Sequence, residues 1–297
     1  MPDAITTAQV IQFQSNIELQ LQQQQSLLGD KVTVGNYHGK KASIVEQFGS
    51  ADAVELTGRH SDTPLLDLSQ DRRWVFPSNW AWGSMVDDMD RLRINIEPTG
   101  AYTMAAAASL NRKQDDILIT AMFDTAYTGE DGTTSESFGT VGSGDYDVAT
   151  TVGGSNALLN VAKLKKVIQL AMLYNKGELT EPLYGAISSY EHDSLLNQAQ
   201  VINKEYNNAM VMENGLVKRL LGINFTITER LNITSGNRLL PFWVKSGMHL
   251  GLWEGLYTNI SERSDKNYST QVYARRVLGA TRTQLGKVFR VNVDDQI

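Results

Sequence analysis

The spacing of apolar residues along this chain switches from helical to alternating and back again, and each switch marks a candidate element. Between residues 8 and 28, Val10, Phe13, Ile17, Leu21 and Leu28 share one stripe in a stretch otherwise rich in glutamine. That spacing predicts a terminal amphipathic helix, capped by Thr6 or Thr7 and stopped at Gly29. From Lys31 to Val34 and from Ala42 to Phe48 the pattern reads as strand, with Gly35-Asn36 as a turn signal, and Ala53 to Leu56 reads as a further strand. Residues 98 to 124 return to helical character: Pro98 suits a first turn, Ala105 to Ala108 are four small residues in a row, and Ile117, Leu118, Ile119, Met122 and Phe123 are apolar. Between them lies Asn111-Arg112-Lys113-Gln114-Asp115-Asp116, polar on every face. A helix of this length reaches roughly 40 Å, and its polar middle reads as a strut crossing between two regions. Within it, Arg112 is spaced to meet Asp115 and Asp116, and Lys113 to meet Asp116.

Beyond the strut, Thr128 to Asn156 is dominated by Gly, Ser, Thr and Asp without periodicity, a loop or loose hairpin. Ala157 to Asn175 is a second amphipathic helix, Leu183 to Ser188 a strand, and Tyr190 to Gln200 a helix. Gly222 to Thr228 alternates as a strand should, and Ser235-Gly236-Asn237 marks a turn. Leu239 to Gly251 is a strand followed by small residues. Tyr268 to Val277 and Lys287 to Val293 are two closing strands with a glycine-bounded connection, Gly279 to Gly286, between them. The order mixes α and β without regular βαβ alternation, so the fold class is α+β.

Composition narrows the function. Hydrophobic content of 41% with 20% charged residues belongs to a folded globular chain, and no apolar run approaches the roughly 18 residues of a membrane span. MPDAITTAQVIQFQ lacks a basic n-region ahead of an apolar core, so no signal peptide is expected. The chain has no cysteine, which removes disulfides, thiolate catalysis and cysteine-based zinc sites. A net charge of −6 argues against a protein built to grip phosphates. Residues 30 to 95 carry many charges and few large apolar side chains, and so suit an antiparallel excursion that packs on something else.

Chemical motifs are missing. No phosphate-binding glycine loop, HExxH or GxSxG occurs, and His38, His60, His192 and His249 lie far apart. Asp87-Asp88 and Asp115-Asp116 are adjacent pairs, which on a helix diverge by about 100° and suit salt bridges better than acid–base work. Glu130, Asp131, Asp145 and Asp147 lack calcium-loop spacing. Trp74, Trp80 and Trp82 could stack on a sugar or base, or anchor the excursion against a protein neighbour, as aromatic residues do at interfaces. The expectation is no catalytic residue, no cofactor and no metal.

The order of these pieces resembles the major capsid proteins of tailed bacteriophages. So do Asp62-Thr63-Pro64, Arg72-Arg73-Trp74, Val86-Asp87-Asp88, Tyr102, Asn111-Arg112 with Asp115-Asp116-Ile117-Leu118, and Gly279-Ala280-Thr281-Arg282. The resemblance implies a non-enzymatic structural protein that assembles into an icosahedral shell around double-stranded DNA. It implies an N-terminal arm at 1–29, an extended β loop at 30–95, a peripheral domain at 96–154 and 246–297 with spine helix 98–124, and an axial domain at 155–245. Its partners would be copies of itself in pentamers and hexamers, a portal protein, the packaged DNA, a possible decoration protein, and no membrane. Only about 30 residues precede the extended loop, from which a separate scaffolding protein is expected. Assembly would take place in the host cytoplasm. Candidate assembly residues are Phe13, Ile17, Leu21, Arg72, Arg73, Trp74, Trp80, Trp82, Arg112, Asp115, Asp116 and Arg282. Two other classes fit less of the chain: a tail or decoration protein, and a carbohydrate-binding module or enzyme using the tryptophans.

Overall fold

Alternation and helical spacing resolve, among the described residues, into fifteen strands and three helices in the computed structural model. It describes residues 22–49, 51–55, 58, 63, 65–86, 99–139, 146–154, 158–175, 180–198, 216–234, 236–266 and 268–294. The strands are β1 (Thr33–Asn36), β2 (Ala42–Phe48), β3 (Gln70–Val75), β4 (Ser78–Val86), β5 (Ala126–Thr128), β6 (Thr134–Glu136), β7 (Asp147–Val148), β8 (Leu183–Ile187), β9 (Arg219–Leu220), β10 (Ile223–Ile227), β11 (Ile233–Thr234), β12 (Asn237–Val244), β13 (Met248–Arg263), β14 (Ser269–Arg282) and β15 (Val288–Asp294). The helices are α1 (Thr99–Phe123), α2 (Val161–Tyr174) and α3 (Ser189–Leu196).

Contacts group the chain into two compact units. The smaller takes its described residues from 22–25, 79–112 and 254–276; the larger takes 26–78, 113–253 and 277–297. In the smaller unit Ala106 and Leu110 of α1 are buried with Ala274 of β14, and Trp80 and Trp82 of β4 pack against them. The small side chains of the alanine run thus make room for two indoles.

The larger unit holds the main core. Its seven-stranded sheet runs β7-β15-β12-β8-β10-β9, with β11 on β12. β8 pairs with β10 in parallel and with β12 antiparallel, and β12 pairs along its length with β15. Helix α2 adds Leu164, Val167, Leu170 and Ala171 to that core. Both shorter helices start where the sequence provides a cap: Asn160 accepts from the Lys163 amide and Ser188 from the Glu191 amide. A second sheet, β2-β3-β5-β6, joins the excursion to the strands that follow α1.

Each unit is assembled from more than one stretch of the chain. Residues 30–78 group with 113–253 because β3 pairs with β5, Arg73 opposite Thr128 and Trp74 opposite Tyr127. The seven-stranded sheet likewise brings β7 and β15 together with strands from residues 183–244.

Four local expectations need correction. Residues 22–28, expected as the end of a helix, are irregular; residues 8 to 21 lie outside the described residues. Ala53 to Glu55 form no strand, whereas 70–75 and 78–86 do. Met248–Arg263 is one long strand, although only its start was expected. Its first four residues are buried and residues 255–262 exposed, so no in–out alternation announces it. Finally, β14 runs straight through Gly279. A Cβ there would meet the Phe76 carbonyl oxygen at 2.1 Å, so this glycine marks a close backbone approach and not a turn.

Candidate functional site

The polar turn of α1 is where the chain entering from the N-terminus is held. Asn111 Nδ2 donates to the Gln24 carbonyl at 2.9 Å. Arg112 Nη1 donates to Gln22 Oε1 at 2.8 Å and to the Gln23 carbonyl at 3.0 Å. In the larger unit, Asp115 is 1% exposed and its carboxylate accepts from Ser26 Oγ at 2.6 Å, Leu27 N at 2.9 Å and Leu28 N at 3.3 Å. Gln114 Nε2 adds a bond to Ser26 Oγ. Leu28 sits in the core with 0% exposure. Residues 26–28 are irregular, and the Leu27 and Leu28 amides meet a buried carboxylate in place of the helical carbonyls expected to receive them. Arg112 and Asp115 thus have partners far from them in the sequence. Asp116 faces elsewhere, accepting both Arg230 Nε and Nη2 at 2.6 Å. That hydrogen bond is the main reason the Arg230 guanidinium binds its proton more tightly than usual.

At the C-terminal end of α1, Arg282 closes the helix. It is 1% exposed, and its Nη1 donates to the carbonyls of Met122 at 3.0 Å and Asp124 at 2.5 Å, while Nη2 reaches the Glu136 carbonyl at 3.2 Å. A fork of donors with positive charge suits the last carbonyls of a helix, which lack partners of their own and carry the negative end of its dipole. Burial lowers the guanidinium to about 10, so it remains charged at neutral pH. Arg73 of β3, 6% exposed, pairs with the Glu136 carboxylate across β5. Glu136 thus accepts from Arg73 on its side chain and from Arg282 on its backbone. Arg73, Asp115 and Arg282, all put forward as assembly residues, lie inside their own subunit. Arg72, one position from Arg73, points out and pairs with Glu46 at 2.9 Å on the surface. We expect Arg72→Ala to change subunit stability by at most about 1 kcal/mol in denaturant unfolding.

Trp74 belongs to the larger unit, Trp80 and Trp82 to the smaller. Trp74 lies over the β5–β6 turn, donating from Nε1 to the Gly129 carbonyl at 2.7 Å, with the Lys41 ammonium 4.4 Å from its ring centre. A Cβ at Gly132, where φ is 70°, would meet the same ring at 2.7 Å, so glycine is required there twice over. Trp80 and Trp82 instead cover α1 in the smaller unit, Trp82 lying 6.5 Å from Tyr102.

A family model described as "Phage capsid protein" matches residues 5–295. The chain belongs to that family. As a capsid protein it is a structural protein of the virion shell, self-assembling into capsomers. Solved capsids share its fold. It is 12% identical to a chain from the capsid of Cyanophage P-SCSP1u, with a TM-score of 0.73 over 97% of this chain and 94% of that one. The Cyanophage Pam1 capsid gives 12% identity and a TM-score of 0.71, with 99% of each chain covered. The capsid of a native GTA particle gives 13% and 0.67, covering 99% of this chain and all of the other. No curated protein sequence matches the chain.

For a shell protein, exposed apolar side chains mark surface that other copies can cover. On the excursion these include Leu65 at 96% exposure and Phe48 at 60%; on β13 they are Leu256, Tyr257 and Ile260. Phe13, Ile17 and Leu21 lie outside the described residues. Sequence reasoning missed Glu136 and Arg230, the partners of Arg73 and Asp116. A lone charge 63 or 114 residues from its mate leaves no periodic signal.

Proposed function

We propose that copies of this chain build pentamers and hexamers of an icosahedral shell enclosing double-stranded DNA, with no catalytic role of their own. The family match over nearly the whole chain carries this reading. In it, residues 1–29 serve as the N-terminal arm, 30–95 as the extended loop, 96–154 with 246–297 as the peripheral domain, and 155–245 as the axial domain. The β2–β3 hairpin with its exposed Phe48, Leu65, Leu66 and Leu68 supports the second assignment, since apolar side chains left in water on one subunit gain when another covers them. A scaffolding protein, a portal protein and possibly a decoration protein complete the assembly, which takes place in the host cytoplasm. DNA is a neighbour held without specific contacts, consistent with a net charge of −6.

Electron microscopy of the expressed protein, with and without the other virion proteins, tests this. Closed shells in which the chain is the most abundant component are expected. A stable monomer under all conditions, or a few copies per particle, would overturn the reading.

The arm has its own test. Removing residues 1–21 keeps Ser26, Leu27 and Leu28 on Asp115, so the subunit folds, and closed shells are lost. A cut after Leu28 would also empty a core position and is the wrong experiment. Normal assembly of the shorter truncation would exclude the arm as an assembly element. Arg112→Ala, which removes the bonds to Gln22 Oε1 and the Gln23 carbonyl, should reduce particle melting temperature and assembly yield well beyond Lys266→Ala on the exposed turn after β13.

A further inference from the structure

Beyond Leu252, β13 forms the rim of its sheet. β1 lies along it only from His249 to Leu252, and the Tyr37 amide donates to the Leu252 carbonyl at 2.8 Å. On its other side β13 neighbours β14, which in turn neighbours β4. Among the described residues, no strand therefore pairs with the outer edge of residues 254–263. Residues 255–262 are exposed on both faces, Leu256, Tyr257 and Ile260 included. Such an edge turns the N–H and C=O groups of every second residue toward water, a ready template for another strand.

The side chains along this edge read the same from either end. Successive residues of a strand point to opposite faces, so Leu256, Thr258 and Ile260 share one face, with Glu254 and Glu262 at its two ends. The row runs acid, aliphatic, threonine, aliphatic, acid. A row of this kind is complementary to itself when turned round, which is what a two-fold contact between identical subunits requires.

Symmetry and side-chain chemistry together select the register. Two copies of one strand paired antiparallel are related by an axis perpendicular to the sheet. Opposed side chains then lie on the same face, so the axis passes through a residue and not between two. An axis at Tyr257 sets Ile260 against Glu254, and an axis at Asn259 sets Leu256 against Glu262. With the axis at Thr258, Leu256 meets Ile260 twice and the threonines meet each other, pairs that stabilise a sheet. That register also brings Glu254 opposite Glu262. Arg275 supplies a counter-charge there, donating to Glu254 Oε1 at 2.9 Å.

We propose that two copies of this chain join edge to edge, residues 254–262 of one pairing antiparallel with residues 254–262 of the other about an axis at Thr258. The pairing continues the β13-β14-β4 sheet of one subunit into that of the next. The contact rests on copies of the chain associating, as the proposed shell requires, and not on how many make a capsomer.

Because the chain contains no cysteine, single cysteines introduced on this edge read the register directly. In the paired strands Thr258 faces its own copy with Cβ atoms about 5 Å apart. Leu256 is displaced from its own copy by about 14 Å along the strand, and Glu262 by about 27 Å. In associated samples of the full chain, a short bismaleimide should therefore link Thr258→Cys roughly tenfold faster than Leu256→Cys or Glu262→Cys. Mixing Leu256→Cys chains with Ile260→Cys chains should restore fast linking that neither shows alone. Ile260→Lys removes the Leu256 contact on both sides of the axis and should weaken the pairing by about tenfold. All these positions are exposed, so the substitutions leave the core intact.

Equal linking at 256, 258 and 262, or fastest linking away from 258, would overturn the proposal. Protection of amides 255–262 from hydrogen exchange on assembly, without linking at 258, would overturn it too, since a different strand would then cover the edge. Electron microscopy of the same samples separates this contact from the shell itself. Closed shells without a link at 258 would overturn the pairing and leave the shell; linked dimers that never close would leave the pairing and overturn the shell.

Discussion

Arg282→Met should cost the isolated subunit about 3–5 kcal/mol of unfolding free energy, the range for removing one member of a buried charged network. Methionine restores much of the volume and none of the donors. The carbonyls of Met122 and Asp124 then end α1 without their partner in a buried site, and the Glu136 carbonyl loses its bond as well. Each buried acceptor left unpaired costs about 1–3 kcal/mol, so the total exceeds what any single bond would suggest. Arg282→Lys keeps the charge but offers one nitrogen in place of a planar fork, and should recover less than half of the loss. Urea unfolding of the three proteins, compared at equal m-value, provides the measurement. A loss below about 1 kcal/mol for the methionine variant would place the helix end in contact with water and remove the reason for a buried guanidinium.

Two neighbouring aspartates provide the second large contrast. Asp115→Ala removes an acceptor serving Ser26, Leu27 and Leu28 and should destabilise the subunit by about 3 kcal/mol, since both amides and the hydroxyl lose a charged partner. Asp116→Ala breaks a bidentate pair with Arg230, but those side chains are 26% and 36% exposed, and water screens the exchange. Its cost should stay near or below about 1 kcal/mol. The expected order is thus opposite to the one a count of ion pairs suggests. Limited proteolysis adds a second observable: in Asp115→Ala, cleavage near residues 22–28 should accelerate while the core remains intact. Equal, small losses for the two variants would mean that residues 26–28 are held by the burial of Leu28 alone.

By itself the sequence determined the elements whose burial repeats at a fixed period. Helix α1 was legible to within a residue at either end because propensity and the Pro98 start agreed over some 25 residues. α2, α3 and the buried strands β8 and β10 were legible for the same local reason: a stripe or a run bounded by glycine or a polar cap. The unusual polarity of residues 111–116 was also visible, as was the capsid resemblance carried by short motifs spread along the chain. What those polar residues bind was not. Asp115 meets residues 87 to 89 positions away, and Arg282 closes a helix about 160 positions earlier, so no periodicity connects donor to acceptor. Tertiary structure alone decided that Leu27 and Leu28 leave the helix expected of them, because a buried carboxylate competes for their amides. It also decided that β13 is a strand: one end is covered on both faces and the other on neither, which removes the alternation a sequence can show. Arg72 and Arg73 put the distinction in two adjacent letters. They are chemically identical, and only the pleat, by turning one toward Glu46 at the surface and the other toward Glu136 beneath, makes one dispensable and the other structural.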